Sequence, residues 1–187
     1  MNNPGPDDLR AVLAAYKQLV DATWPDLHPT MRDRARLWPT ASAQSLANEL
    51  AELVQQSSAE SSAVRVFWKL GPKYEFGGVN RLFAKDAGFA NPAELVGLTD
   101  FDSRLPWRPQ AAKYRADDES IVASKTARLG IIERQKGPNG EITWVRVAKA
   151  PILHANGNAI GVLGIYEVLD PAVARRLAVE QIKRPPV

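Results

Sequence analysis

Residues 128–168 restrict the fold more than any other stretch, because they read as three consecutive antiparallel strands: Arg128–Gln135, Ile142–Leu153 and Ala159–Val168. The first joint, Lys136-Gly137-Pro138-Asn139-Gly140, gathers turn-forming residue types into five positions. The second contains Asn156-Gly157, the strongest short-range hairpin signal, because both residues tolerate positive φ. Between the turns, Ile131, Ile132, Ile142, Thr143, Trp144, Val145, Val147, Ile160, Val162, Ile165 and Tyr166 are β-branched or aromatic and fit a pleated surface. Apolar residues fall on both faces of the second and third strands, so the sheet is expected to be covered on both sides. Three strands cannot bury two faces alone, and the rest of the chain must supply the covers.

Residues 1–60 read as a helical extension. Asp7 or Asp8 caps a helix running to about Trp24, with Leu9, Val12, Leu13, Tyr16, Leu19 and Val20 on one stripe, and Pro25 ends it. Asp26–Thr40 reads as irregular, and its Arg32, Arg34 and Arg36 as solvated rather than as a docking site for an acidic partner. A second helix starts at Ser42 or Ser45 and continues to about Gln56, with Leu46, Leu50, Leu53 and Val54 along one side. A helix of this length is marginal alone, so its stripe needs either the free sheet face or a second copy of the chain. The expectation is a homodimer through these N-terminal helices, with Ser57–Ser62 as a polar linker.

Val64–Leu70 reads as a strand, Gly71-Pro72-Lys73 as a turn, and Tyr74–Val79 as a second strand weakened by Gly77-Gly78. Asn80–Ala87 is a helix capped by Asn80, and short turns cover 91–95 and 97–102. A longer helix then runs to about Ser124. After the three-strand unit, Asp170 caps a last helix, Ala172 to about Lys183, which Pro185-Pro186 ends. Five antiparallel strands with the helices on one face make an α+β arrangement.

Composition narrows the chemistry. The chain has 187 residues, 45% of them hydrophobic, a net charge of +3 and no cysteine. The charge is spread without a basic block, so no nucleic-acid partner is expected. No apolar run has membrane-spanning length and the N-terminus lacks a signal-peptide layout, so the expected compartment is the cytoplasm. His28 and His154 have no serine, acid or second metal ligand beside them in any recognisable spacing, and His154 reads as a turn residue. Asp100 and Asp102 read as caps of short helices, and Trp107 and Tyr114 as core aromatics before ligand clamps. The glycines at 77, 78, 161 and 164 form no phosphate-binding loop.

In order and spacing, several motifs resemble the PAS domains of bacterial signalling proteins over about residues 62–170. They are Val66-Phe67-Trp68-Lys69 before a Gly-Pro turn; Val79-Asn80-Arg81-Leu82-Phe83-Ala84; Gly97-Leu98-Thr99-Asp100-Phe101-Asp102; Trp107 through Asp118; Trp144 through Ile152; and Gly161 through Glu167. The resemblance implies a sensory module, 62–170, between an N-terminal cap, 1–60, and a C-terminal connector, 171–187. Such a module binds a small molecule or dimerises, and controls an output domain such as a histidine kinase or cyclic-di-GMP enzyme. The alternative is an isomerase- or dehydratase-type enzyme using an Asp–Tyr or Asp–His pair. Flavin-photochemical relatives need a reactive cysteine, which this chain lacks. Haem-binding relatives take their iron ligand from the helical side, where no histidine lies between Asn80 and Ser124. Such domains commonly end in Asp-Ile-Thr, whereas this chain has Val168-Leu169-Asp170-Pro171, moving the cap to Asp170.

The resemblance also aims side chains. Alternation puts Val145, Val147 and Lys149 on one face of the central strand, and Val162 and Tyr166 on one face of the last. By resemblance that face looks into the cavity between sheet and helices, with Trp107 and Tyr114 across from it. Lys149 then sits at the cavity rim, snorkelling outward or paired with Glu133 or Asp118. The sharper expectation is that Lys149 and Tyr166 hold the acidic head of a small organic ligand, with Val145, Val147 and Val162 against its apolar part.

Overall fold

The computed structural model describes residues 4–59 and 63–183. The end of the predicted linker and the terminator Pro185-Pro186 lie outside the described residues. The strands are β1 (Val64–Leu70), β2 (Glu75–Val79), β3 (Arg128–Lys136), β4 (Ile142–Leu153) and β5 (Ala159–Leu169). They form one antiparallel sheet in the order β2-β1-β5-β4-β3. The helices are α1 (Pro6–Thr23), α2 (Met31–Ala35), α3 (Ala43–Gln56), α4 (Arg81–Asp86), α5 (Ala111–Ser124) and α6 (Pro171–Lys183).

Strand alternation divides the apolar residues between two cores. Val64, Val66, Ala148, Ala150, Ile152, Leu163 and Ile165 point to the outer face, where α1 lies against β4 and β5 and α3 packs on α1. Leu46, Leu50, Leu53 and Val54 are all buried in this outer core. The stripe that motivated a homodimer is therefore consumed within one chain. The opposite face carries Phe67, Val145, Val147 and Tyr166, which pack with Phe76, Phe83, Trp107 and Tyr114 beneath α4 and α5.

Local signals set most boundaries. The Ser42 side chain accepts from Ser45 N at the start of α3, and Asn80 accepts from Phe83 N at the start of α4. Gly5, rather than Asp7 or Asp8, is the cap of α1, and its N–H donates to Asp8 Oδ2 at 2.8 Å. Gly77 and Gly78 have a packing reason. β2 pairs with β1 through a bulge at this point, and Trp68 lies so close that a Cβ on Gly78 would meet its ring at 2.2 Å.

The 26–40 segment is less irregular than its sequence suggests. Met31 is buried in α2, and Arg34 reaches α3, where it bonds Glu49 at 2.7 and 2.9 Å and Glu52 at 3.1 Å. Tertiary contacts hold this turn, and a five-residue helix is too short for periodicity to reveal. His154 is more than a turn residue as well, since its Nε2 lies 2.8 Å from Asp8 Oδ1 and ties the β4–β5 hairpin to α1.

Candidate ligand cavity

Between the inner sheet face and α4 and α5 lies a cavity of about 40 Å³. That is room for two or three water molecules. Its wall combines aromatic rings with charge: Phe67, Phe76, Phe83, Trp107, Tyr114 and Tyr166 beside Lys69, Asp100, Glu133, Gln135 and Lys149, with Val147. Phe83 on α4 is the hub of the rings, with centroids 5.1 Å from Phe67, 5.5 Å from Phe76, 5.4 Å from Trp107 and 6.0 Å from Tyr166. Gly164 makes space for the Phe67 ring, because a Cβ there would lie 2.2 Å from Phe67 Cζ.

A buried charge cluster closes one side. Lys69 Nζ on β1 donates to Asp100 Oδ2 at 2.5 Å and to Asp118 Oδ2 at 2.8 Å. Lys149 Nζ on β4 donates to Asp118 Oδ1 at 2.6 Å. Trp107 Nε1 donates to Asp100 Oδ1 at 3.2 Å. The Lys69 ammonium also lies 5.3 and 5.2 Å from the ring centroids of Phe67 and Phe76. Burial alone would raise the Asp118 carboxyl, but Lys69 and Lys149 outweigh it and hold it below the usual carboxylate range. Burial would lower Lys69, and here Asp118 and Asp100 win, so its ammonium is raised. The cluster holds formal charges that cancel, which is how such groups survive burial.

Tyr166 anchors the other side. Its hydroxyl donates to Asp86 Oδ2 at 3.0 Å and accepts from Gln135 Nε2 at 3.1 Å, while Arg65 Nε donates to Asp86 Oδ2 at 2.9 Å. Burial, with the Asp86 charge, pushes the phenol well above its ordinary value, so Tyr166 works as a neutral hydrogen-bonding group.

No protein-family model and no curated protein matches the sequence. Solved structures do match. The Vibrio cholera VqmA–ligand–DNA complex superposes at TM-score 0.54 with 16% identity, over 75% of this chain and 61% of that one. An RNA-binding light-oxygen-voltage receptor matches at TM-score 0.55 with 18% identity, over 77% of this chain and 38% of that one. The PAS domain of a Colwellia psychrerythraea protein matches at TM-score 0.50 with 15% identity, over 66% of this chain and 97% of the domain. This chain has a PAS fold.

The chain spans about three fifths of the VqmA chain it matches. Two of the three matched proteins are named for nucleic-acid binding, so the fold lends no support to the expectation that nucleic acid is not a partner. Among the described residues, no helix is long and apolar enough to cross a membrane.

Within the PAS cavity, the expected site residues separate. Lys149, Tyr166, Val147, Trp107 and Tyr114 line it. Val145 is buried in the surrounding inner core, while Val162 is buried opposite Lys69 in the register and does not reach the cavity wall. Lys149 is not at the rim: it is 4% exposed, and of the expected alternatives the ion pair with Asp118 is the one formed, not the snorkel. Asp100 is not a helix cap either, because Lys69 and Trp107 occupy both of its oxygens. Asp102 keeps the local role, accepting from Arg104 N at 3.0 Å.

Sequence reasoning missed Lys69, Gln135 and the Phe67/Phe76/Phe83 group as wall residues. Lys69 left one weak trace, a cation two residues after Phe67 and hence on the same face of a largely apolar strand, a trace that Arg65 shares. Among the described residues, no group of three or more His, Cys, Asp or Glu could hold a metal.

Proposed function

We propose that this chain is a non-catalytic sensory module that takes a small molecule into the PAS cavity and controls an output domain or partner protein in bacterial signal transduction. The observation that carries this reading is Lys149. It is buried against the void, and among the described residues its hydrogen-bond partner is Asp118 Oδ1. An ammonium has three donors, so two remain for whatever fills the cavity. VqmA, which shares the fold, has been solved bound to DPO.

The ligand class follows from the charge. Asp118 already neutralises Lys149, so an acidic head would bring a third negative charge toward Asp100 and Asp118. A neutral molecule with an acceptor for Lys149 and a flat apolar part for Phe83, Trp107 and Tyr114 suits the wall better. At about 40 Å³ the cavity must widen to admit more than a few heavy atoms.

A regulatory role also agrees with the acids. Asp100 and Asp118 are fully engaged by lysines and Trp107, and neither histidine lines the cavity. In the Asp–Tyr pair at its wall, Asp86 with Tyr166, Arg65 also holds the carboxylate while burial keeps the phenol protonated. The signal leaves through α6, which Asp170 caps directly after β5: Ala172 N donates to Asp170 Oδ1 at 2.8 Å. On α6, Ala174 is buried while Val173 and Val179 remain exposed for a partner.

Thermal-shift and calorimetric screening of neutral lactams and hydroxy-heteroarenes against matched carboxylates tests the reading. A binder at a hundred times its Kd should raise the wild-type Tm by about 5–10 °C. Lys149→Met should abolish that rise. No shift in wild type, or equal shifts in both proteins, refutes the site.

A further inference from the structure

The first turn of α4 is joined to the N-terminal helices by a continuous chain of buried polar groups. Asn80, 2% exposed, caps α4 by accepting from Phe83 N at 3.1 Å and from Val66 N at 3.2 Å. Its side-chain N–H group donates to Val64 O at 2.9 Å and to Ser57 Oγ at 2.9 Å. Ser57, fully buried at the end of α3, has one hydroxyl proton to share between Val54 O at 2.6 Å and the Tyr16 side chain, to which it is also hydrogen-bonded. The Tyr16 hydroxyl, also fully buried, lies 3.1 Å from His28 Nε2. His28 hydrogen-bonds the Leu53 backbone, which leaves Nε2 of the neutral ring to accept from Tyr16.

The chain thus runs His28, Tyr16, Ser57, Asn80, and ends one turn from Phe83, the hub of the cavity rings. α4 has six residues, and its other end is held by Asp86 to Arg65 and Tyr166. A helix this short cannot shift Phe83 without moving its cap. An apolar core would have bound α3 to the sheet without any of these groups. A polar chain resists slippage differently, because each buried group left unpaired costs about 1–3 kcal/mol.

We propose that Asn80 and Ser57 couple the cavity wall to the α1–α3 layer, making that layer a second face on which the state of the cavity is read out. This rests on the sensory reading for the direction of the signal. The coupling itself is independent of any ligand and is tested without one.

Hydrogen exchange on the full chain provides the test. Phe83→Leu withdraws a ring from the cavity wall and leaves the N-terminal layer untouched. Amides of α1 and α3 around Tyr16 and Ser57 should then exchange about fivefold faster, normalised to β4 amides, as a coupling of ordinary size requires. Adding Tyr16→Phe, which removes only a hydroxyl, should cut that increment to about twofold or less. An unchanged rate in Phe83→Leu, or an equal increment in both backgrounds, overturns the coupling. If Phe83→Leu does not fold, Phe83→Met makes the same comparison at smaller volume loss. Failure of the ligand screen would leave this outcome unaffected, so the two proposals can fail separately.

Discussion

Asp118 on α5 meets Lys149 on β4 at 2.6 Å, with the carboxylate fully buried and its second oxygen 2.8 Å from Lys69 Nζ. One acid therefore pins a helix to two strands and compensates two cations inside the inner core.

Asp118→Asn should be strongly destabilising, by about 3–5 kcal/mol, because it leaves Lys149 with no anion and Lys69 with Asp100 alone. Replacing the group together, as Lys69→Met, Asp118→Leu, Lys149→Met and Asp100→Asn, should recover most of that loss, since uncharged residues need no counterion there and the amide oxygen of Asp100→Asn still accepts from Trp107. Urea denaturation of the two variants decides the matter. A single Asp118→Asn costing less than about 1 kcal/mol would show that the cluster is solvated and not a buried ion network.

Stability should depend on His28 in mildly acid solution. Burial first, and the Arg34 charge second, push its imidazole down, against the Leu53 backbone contact and the charges of Glu49 and Glu52. A group whose folded pKa is depressed binds protons more readily when unfolded, so folding is fully supported above the unfolded value. That support is lost progressively as pH falls below about 6.5 toward the folded value. Protonation also reverses the Tyr16 contact, because Nε2 then donates to the phenol oxygen and the buried Tyr16 proton needs another acceptor. Denaturation midpoints between pH 7.5 and 5 should fall in wild type and stay flatter in His28→Gln. Parallel curves for the two proteins would remove His28 from the account.

Gly164→Ala should close the cavity. Its new Cβ would lie 2.2 Å from Phe67 Cζ, and that ring can retreat only toward the void it already lines. The expected loss is about 1–3 kcal/mol from overpacking. Any ligand found by screening should lose affinity in the same variant. Wild-type stability with unchanged binding would mean that the ring has another way out.

Much of the scaffold was legible because its determinants are local. The Asn156-Gly157 turn, the alternation through Val145 and Val147, and the caps at Ser42, Asn80 and Asp170 act over a few residues. The strand Val64–Leu70 and the central strand Ile142–Leu153 accordingly have the predicted limits. The leucine stripe of α3 stated that something must cover it. Whether that was this sheet or a second copy depended on α1 reaching β4, a relation between distant segments.

Beyond the position of Lys69 in its strand, the charge cluster had no such local trace. Lys69 is separated by 31 residues from Asp100 and by 49 from Asp118, and Lys149 by 31 from Asp118. A lysine in a strand and an aspartate on a helix are each ordinary surface residues in one dimension. The sequence by itself determined the turns, the alternation and the caps, hence which face of each strand is apolar. Only the tertiary structure decided that Asp100 is a buried counterion and not a cap, that Lys149 is paired and not snorkelling, and that Asn80 belongs to two layers at once. The physical reason is that a charge or an amide takes its role from the groups within about 3 Å of it. Those neighbours exist only after the sheet register and the seating of α5 and α3 have brought separate parts of the chain together.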